Sequence, residues 1–156
     1  MQLYLVQHGA AKSEAEDPQR GLTEEGRRTV EQLADFLTPL QLSIDRIENS
    51  GKLRAKQTAE ILAGPLRPRE GTKETSGMAP NDEVEPIRSR LQTETKNVML
   101  VGHLPYLSRL AMRLLGLKED HNAVEFRMGG LVRLDRRETG AWMVHWMIMP
   151  DLLAQR

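Results

Sequence analysis

The chain has 156 residues, 39% of them hydrophobic and 28% charged, which suits one globular domain over 1–156 with a single core. Lysine plus arginine equals aspartate plus glutamate at 22 each, and no basic stripe stands out, so nothing in the charge points to nucleic acid as a partner. The absence of cysteine excludes disulfides, zinc–thiolate sites and thiol nucleophiles, and fits a cytoplasmic protein.

The opening MQLYLVQHG has an apolar stretch far too short to span a membrane and no basic leader, so a soluble protein without a membrane partner is expected. Residues 2–7 read as a buried strand ending before Gly9. The polar stretch from Lys12 to Gly21, with Pro18 inside it, reads as a loop. Thr23 then has the chemistry of an N-cap, followed by Glu24 and Glu25 where the helix dipole favours anions. Val30, Leu33, Ala34 and Leu37 recur at helical spacing, and Pro39 marks the end. Residues 44–49 are a second strand, with Ser50 and Gly51 as its turn. Ala55, Ala59 and Leu62 share one face of a helix expected to close at Gly64 and Pro65. From Arg67 to Glu85 the chain is polar and holds at most one short strand, before a brief helix around Val84–Leu91. The run NVMLV at 97–101 is the clearest strand. Pro105 suits the first turn of the following helix, whose stripe is Leu107, Leu110, Ala111 and Leu114 and whose stop is Gly116. Two late strands, at 130–134 and 142–148, flank a turn near Thr139 and Gly140. The alternation predicts an α/β fold, a three-layer α/β/α sandwich with a mostly parallel central sheet and helices on both faces.

In such a sheet, ligands bind beyond the carboxyl ends of the strands. Three polar residues fall there: His8 after the first strand, Arg54 after the second, and His103 after NVMLV. Each has an ordinary reading, the histidines as turn-capping groups and the arginine as a solvated side chain. Yet a cation in a helix's first turn opposes the dipole, and a bound anion reverses that sign. Three coincident strand-end residues favour an anion site over three accidents. His145, inside WMVHWMIM, reads as structural, and His121, in KEDHN, as solvated. His8 and His103 lack a third ligand at metal-binding spacing, so no metal is expected, and neither a P-loop nor a G-x-S-x-G elbow is present.

The segments LYLVQHG, LTEEG, SGKLRAKQT and VMLVGHLP, in that order, resemble the motifs of the histidine phosphatase (phosphoglycerate mutase-like) superfamily. The short chain, with no large insertion between motifs, is most similar to its SixA-type phosphohistidine phosphatases. The resemblance covers about residues 3–105. It implies a two-step reaction without cofactor or metal. His8 attacks phosphorus and becomes a phosphohistidine, which water hydrolyses, while Arg54 and His103 surround the phosphoryl oxygens. His8 must be neutral, so its second ring nitrogen is expected to donate to a carbonyl. Gly9 and Gly102 are expected to let the backbone approach the phosphate. The implied substrate is a phosphorylated protein carrying phosphohistidine, or a small phosphorylated molecule.

Gln7 stands where the family usually has arginine, so position 7 of the phosphate-binding set (Gln7, His8, Arg54, His103) carries no charge. A charge-assisted hydrogen bond is worth roughly 1.5–3 kcal/mol, so affinity falls about ten- to a hundredfold unless another cation such as Lys12 compensates. Gln7 also motivates a reading from another class, a phosphate-binding module without turnover. Ala10 and Gly51 are further departures, expected to alter specificity or loop stiffness. For a general acid, Glu70, Glu74, Asp82, Glu83 and Glu85 are all candidates by position. An imidazole leaving group needs such an acid less than an alkoxide does, which favours phosphohistidine as substrate.

Overall fold

A computed structural model describes residues 1–154. Six strands form one sheet: β1 (Gln2–Gln7), β2 (Arg46–Asn49), β3 (Thr72–Glu74), β4 (Val98–Gly102), β5 (Leu131–Arg136) and β6 (Trp142–Ile148), in spatial order β3-β2-β4-β1-β5-β6. The first four are mutually parallel, while β5 and β6 join antiparallel at one side. Five helices flank the sheet: α1 (Glu24–Leu37), α2 (Leu53–Leu66), α3 (Glu85–Thr93), α4 (Tyr106–Leu114) and the single-turn α5 (Pro150–Leu153).

The period of two along each strand divides the core between two faces. Tyr4 and Val6 of β1, with Met99 and Val101 of β4, pack against Val30, Leu33 and Leu37 of α1 and Ala55, Ala59 and Leu62 of α2. Leu3, Leu5, Val98 and Leu100 point the other way, onto Ile87 and Leu91 of α3 and Leu107 and Leu110 of α4. The two clusters make the predicted three-layer α/β/α fold. β1 and β4 are buried on both faces, which is why they read as continuous apolar runs.

Several boundaries differ from expectation. β2 begins at Arg46, although Ile44 is still buried. The α2 helix runs through Gly64 and Pro65 to Leu66. Proline removes one N–H in the last turn, and the helix ends instead at Arg67, whose left-handed backbone (φ 47°) lets its N–H donate to Ala63 O. His145 is exposed on the edge strand β6 and faces Asp135 Oδ2 at 3.5 Å, so it is not a core histidine.

Candidate active site

β1, β2 and β4 end at one edge of the sheet. Gln7 is in register with Gly102, and Asn49 with Val101. The ladder continues one residue past β1, because His8 N–H donates to Gly102 O at 3.0 Å. The His8 and His103 rings therefore meet with centroids 4.9 Å apart and planes at 53°.

His8 is 8% exposed, and its Nδ1 lies 2.7 Å from Gly9 O. A carbonyl only accepts, so Nδ1 carries the proton and Nε2 keeps a free lone pair. Burial holds the His8 pKa below the ordinary histidine value. The Gly9 bond opposes this, and the charges of Arg54 and Arg20 add to the lowering. His103 is 1% exposed, and its Nε2 lies 2.6 Å from Ser50 Oγ. Burial first, then His8, Arg54, Lys52 and Arg20, push its pKa down to about 3. Both imidazoles are neutral at pH 7.

The segment R-A-x-Q-T divides its tasks by helical position. Ala55 is fully buried, while Arg54, in the first turn of α2, is half-buried and its charge acts on both His8 and His103. Gln57 Oε1 accepts from Leu22 N–H at 2.7 Å, tethering the loop that precedes α1. Thr58 Oγ1 accepts from Gly9 N–H at 3.1 Å and donates to Arg54 O at 2.8 Å, clamping the His8 turn to α2. α2 starts with no side-chain cap and no acid in its first turn, whereas α1 has Thr23 Oγ1 on Gly26 N–H together with Glu24 and Glu25. The N-terminus of α2 is thus left with Lys52 and Arg54, the arrangement an anion would stabilise.

Arg20 was not singled out by the sequence. It sits in a left-handed conformation (φ 52°) in the loop closed by Lys12 N–H to Gly21 O, and its Nε donates to Lys12 O at 3.1 Å. Its charge acts on His8, His103 and Arg54 together. Lys12, the compensating cation suggested by sequence, is exposed, and its carbonyl anchors Arg20. Among the described residues, neither Arg20 nor Arg54 has a carboxylate within ion-pair distance.

Other expectations are redistributed. A Cβ on Gly9 would meet Gly26 O at 2.8 Å and Val30 of α1 at 2.9 Å, so Gly9 makes room for α1, whereas one on Gly102 would make only ordinary contact with Leu107 of α4. Of the acid candidates, Glu70 pairs with Lys96 and Arg46, and Glu74 faces Lys56. Asp82 accepts from Ala79 N–H, Glu83 faces Arg109, and Glu85 is held by Arg88 and Ser89 with its pKa lowered to about 2. Among the described residues, neither His8 nor His103 is hydrogen-bonded to or paired with a carboxylate. An open groove of about 500 Å³ runs from Leu104 and Pro105 past Ser108 to Asn122, Val124, Glu125 and Phe126.

This geometry can be set beside known proteins. Residues 3–79 match the model of the histidine phosphatase superfamily (branch 1). The chain is 32% identical over 142 residues to an uncharacterised protein of Picosynechococcus sp. PCC 7002, covering 86% of this chain and 84% of the relative. It is 26% identical over 155 residues to the phosphohistidine phosphatase SixA of Escherichia coli K12, covering 96% and 94%. The solved structure of the protein histidine phosphatase SixA complexed with tungstate superposes with a TM-score of 0.86 at 26% identity, over 98% of this chain and 99% of that one. No helix among the described residues is long and apolar enough to cross a membrane. Sequence, fold and the arrangement at the sheet edge agree that the chain belongs to the histidine phosphatase superfamily.

Proposed function

We propose that this protein is a phosphohistidine phosphatase acting on phosphorylated proteins, with His8 as the nucleophile. The observation that carries the reading is the His8 ring: Nδ1–H is tied to Gly9 O, Nε2 is bare, and the neighbouring cations Arg54 and Arg20 have no acid to neutralise them. The Nε2 lone pair attacks phosphorus in line as the bond to the departing imidazole breaks. That ring leaves neutral when its other nitrogen is protonated, so the step needs no carboxylic acid at the site. The phosphorylated His8 ring gains positive charge, which Gly9 O offsets through Nδ1–H. Water then attacks phosphorus, its proton goes to the product phosphate, and the electron pair returns to Nε2. Arg54 and Arg20 stabilise the charge spread over the phosphoryl oxygens, with Arg20 taking up part of the task left by Gln7.

Similarity to SixA supports phosphohistidine as the substrate class. Tungstate in the SixA structure makes oxyanions natural probes of this site. The test is hydrolysis of a phosphohistidine-bearing protein, measured beside free sugar phosphates. His8→Ala is expected to abolish it, and mixing wild type with labelled substrate should leave an acid-labile, base-stable phosphate on His8. Binding of phosphate without any trapped phosphoenzyme would establish instead the non-catalytic module that Gln7 suggests.

A further inference from the structure

We propose that Ser50 is a ligand of the phosphoryl group in its own right, aimed at it by His103. The inference rests on the phosphoryl site proposed above and follows from an account of every donor and acceptor around the Ser50 hydroxyl. His103 is 1% exposed, and its Nδ1 is buried without a hydrogen-bond partner among the described residues. A neutral imidazole carries one N–H. A buried N–H without an acceptor is rarer and costlier than a buried lone pair without a donor, so the proton belongs on Nε2.

With the proton on Nε2, the 2.6 Å contact to Ser50 is a bond in which His103 donates and Ser50 Oγ accepts. The second lone pair of Oγ faces Lys52 N–H at 3.4 Å, a long contact. Both acceptor positions are then taken, and the hydroxyl proton has no acceptor among the described residues. Its only remaining role is to donate.

The turn is built to hold that geometry. Asn49 Oδ1 accepts from Gly51 N–H at 2.9 Å, and Asn49 Nδ2 donates to Lys73 O at 3.3 Å. Gly51 has φ 86°, a conformation open to glycine at little cost. Ser50 is half-buried at the end of β2, on the edge where His8 and Arg54 also emerge. A phosphoryl oxygen accepted there completes the hydroxyl's bonding, and the His103–Ser50–oxygen chain polarises in one direction. His103 thereby contributes to anion binding through Ser50 as a neutral donor.

The test pairs Ser50→Thr, which keeps the hydroxyl, with Ser50→Val, which removes it at nearly the same shape, and reads inorganic phosphate affinity by calorimetry. Ser50→Val is expected to lose about tenfold and Ser50→Thr to stay within about twofold of wild type. Nitrogen-15 spectra of the wild type should show His103 neutral and protonated at Nε2. Equal affinity of the two variants, or a His103 protonated at Nδ1, would overturn the assignment. Failure here is separable from failure of the proposed function. If Ser50→Val binds phosphate like wild type while His8→Ala still abolishes turnover, only the Ser50 assignment falls. If wild type binds no phosphate at all, the site reading falls and takes this inference with it.

Discussion

At position 7 a neutral amide occupies the end of β1 beside the nucleophile candidate. Gln7 is 9% exposed, its Oε1 has no partner among the described residues, and its carbonyl accepts from Gly129 N–H at 2.9 Å. Gln7→Arg places a fixed charge there and is expected to tighten inorganic phosphate binding by about tenfold. Calorimetry checks this, and unchanged affinity would show that the side chain at position 7 does not reach the ligand. His103 sets a second expectation, in pH. Its folded pKa is lowered to about 3, whereas in the unfolded chain it is near the ordinary histidine value of about 6.5. Between these values the unfolded chain binds a proton that the folded protein refuses, so stability is full above pH 6.5 and declines as pH falls. At 1.36 kcal/mol per unit, acidification to pH 4 costs roughly 3 kcal/mol from this residue. Urea unfolding of wild type and His103→Gln across pH 4–7 should give a shallower decline for the variant; parallel curves would refute the assignment of that slope to His103.

The position of His8 depends on how α1 docks onto the turn after β1. A Cβ on Gly26 would lie 2.1 Å from Ala10 O, the atom that accepts from Thr23 N–H at the start of α1. Gly26→Ala must therefore push the helix start off the turn, and a loss of about 2–4 kcal/mol is expected from overpacking and a disturbed cap. Gly64→Ala is the matched control. It also lies in a helix, nothing stands within 4 Å of its Cβ, and alanine there should gain about 0.5–1 kcal/mol. Urea midpoints of the two variants should move in opposite directions. The same contrast explains what was legible in the sequence. His8, Arg54 and His103 could be picked out because strand ends and a cation at a helix start are local signals. Arg20 could not, since its approach depends on a left-handed residue and on the Lys12 carbonyl across the loop. Gly9 was visible as a glycine, but only packing reveals that α1 leaves no room for a side chain there. Pro65 misled because its missing N–H falls where the helix has an alternative end at Arg67. The antiparallel direction of β5 and β6 is set by pairing with β1, which no pattern within either strand encodes.

Across the molecule, the site edge is held to the α3 layer by a buried acid that takes no part in the proposed chemistry. Glu48 is fully buried on β2, two residues before Ser50. Its carboxylate accepts from Arg46 Nε at 2.7 Å, from an Arg90 terminal nitrogen on α3 at 2.9 Å, and from Thr75 Oγ1 just past β3 at 2.7 Å. Arg46 reaches on to Glu94 at 2.5 Å, beyond the C-terminal end of α3. Burial alone would raise the Glu48 pKa, but Arg90, Arg46 and Thr75 outweigh it and hold it below the ordinary value. A carboxyl with a depressed folded pKa contributes stability above its unfolded pKa and loses it as pH falls through the folded one. The Glu48 contribution is therefore lost below about pH 4.5, under the window in which His103 begins to act. Removing one partner of a buried ion network leaves charge without compensation, so Glu48→Ala is expected to cost about 3–5 kcal/mol at pH 7. Glu48→Gln keeps two of the hydrogen-bonding roles and should cost less. Because the Glu48 carboxylate is bound by Arg46, Arg90 and Thr75 and not by Arg54, His103 or Ser50, phosphate affinity of the folded Glu48→Gln protein should stay within about twofold of wild type. A large affinity loss with little change in urea midpoint would instead make Glu48 part of the site's positioning machinery, acting through Asn49 and the Ser50 turn.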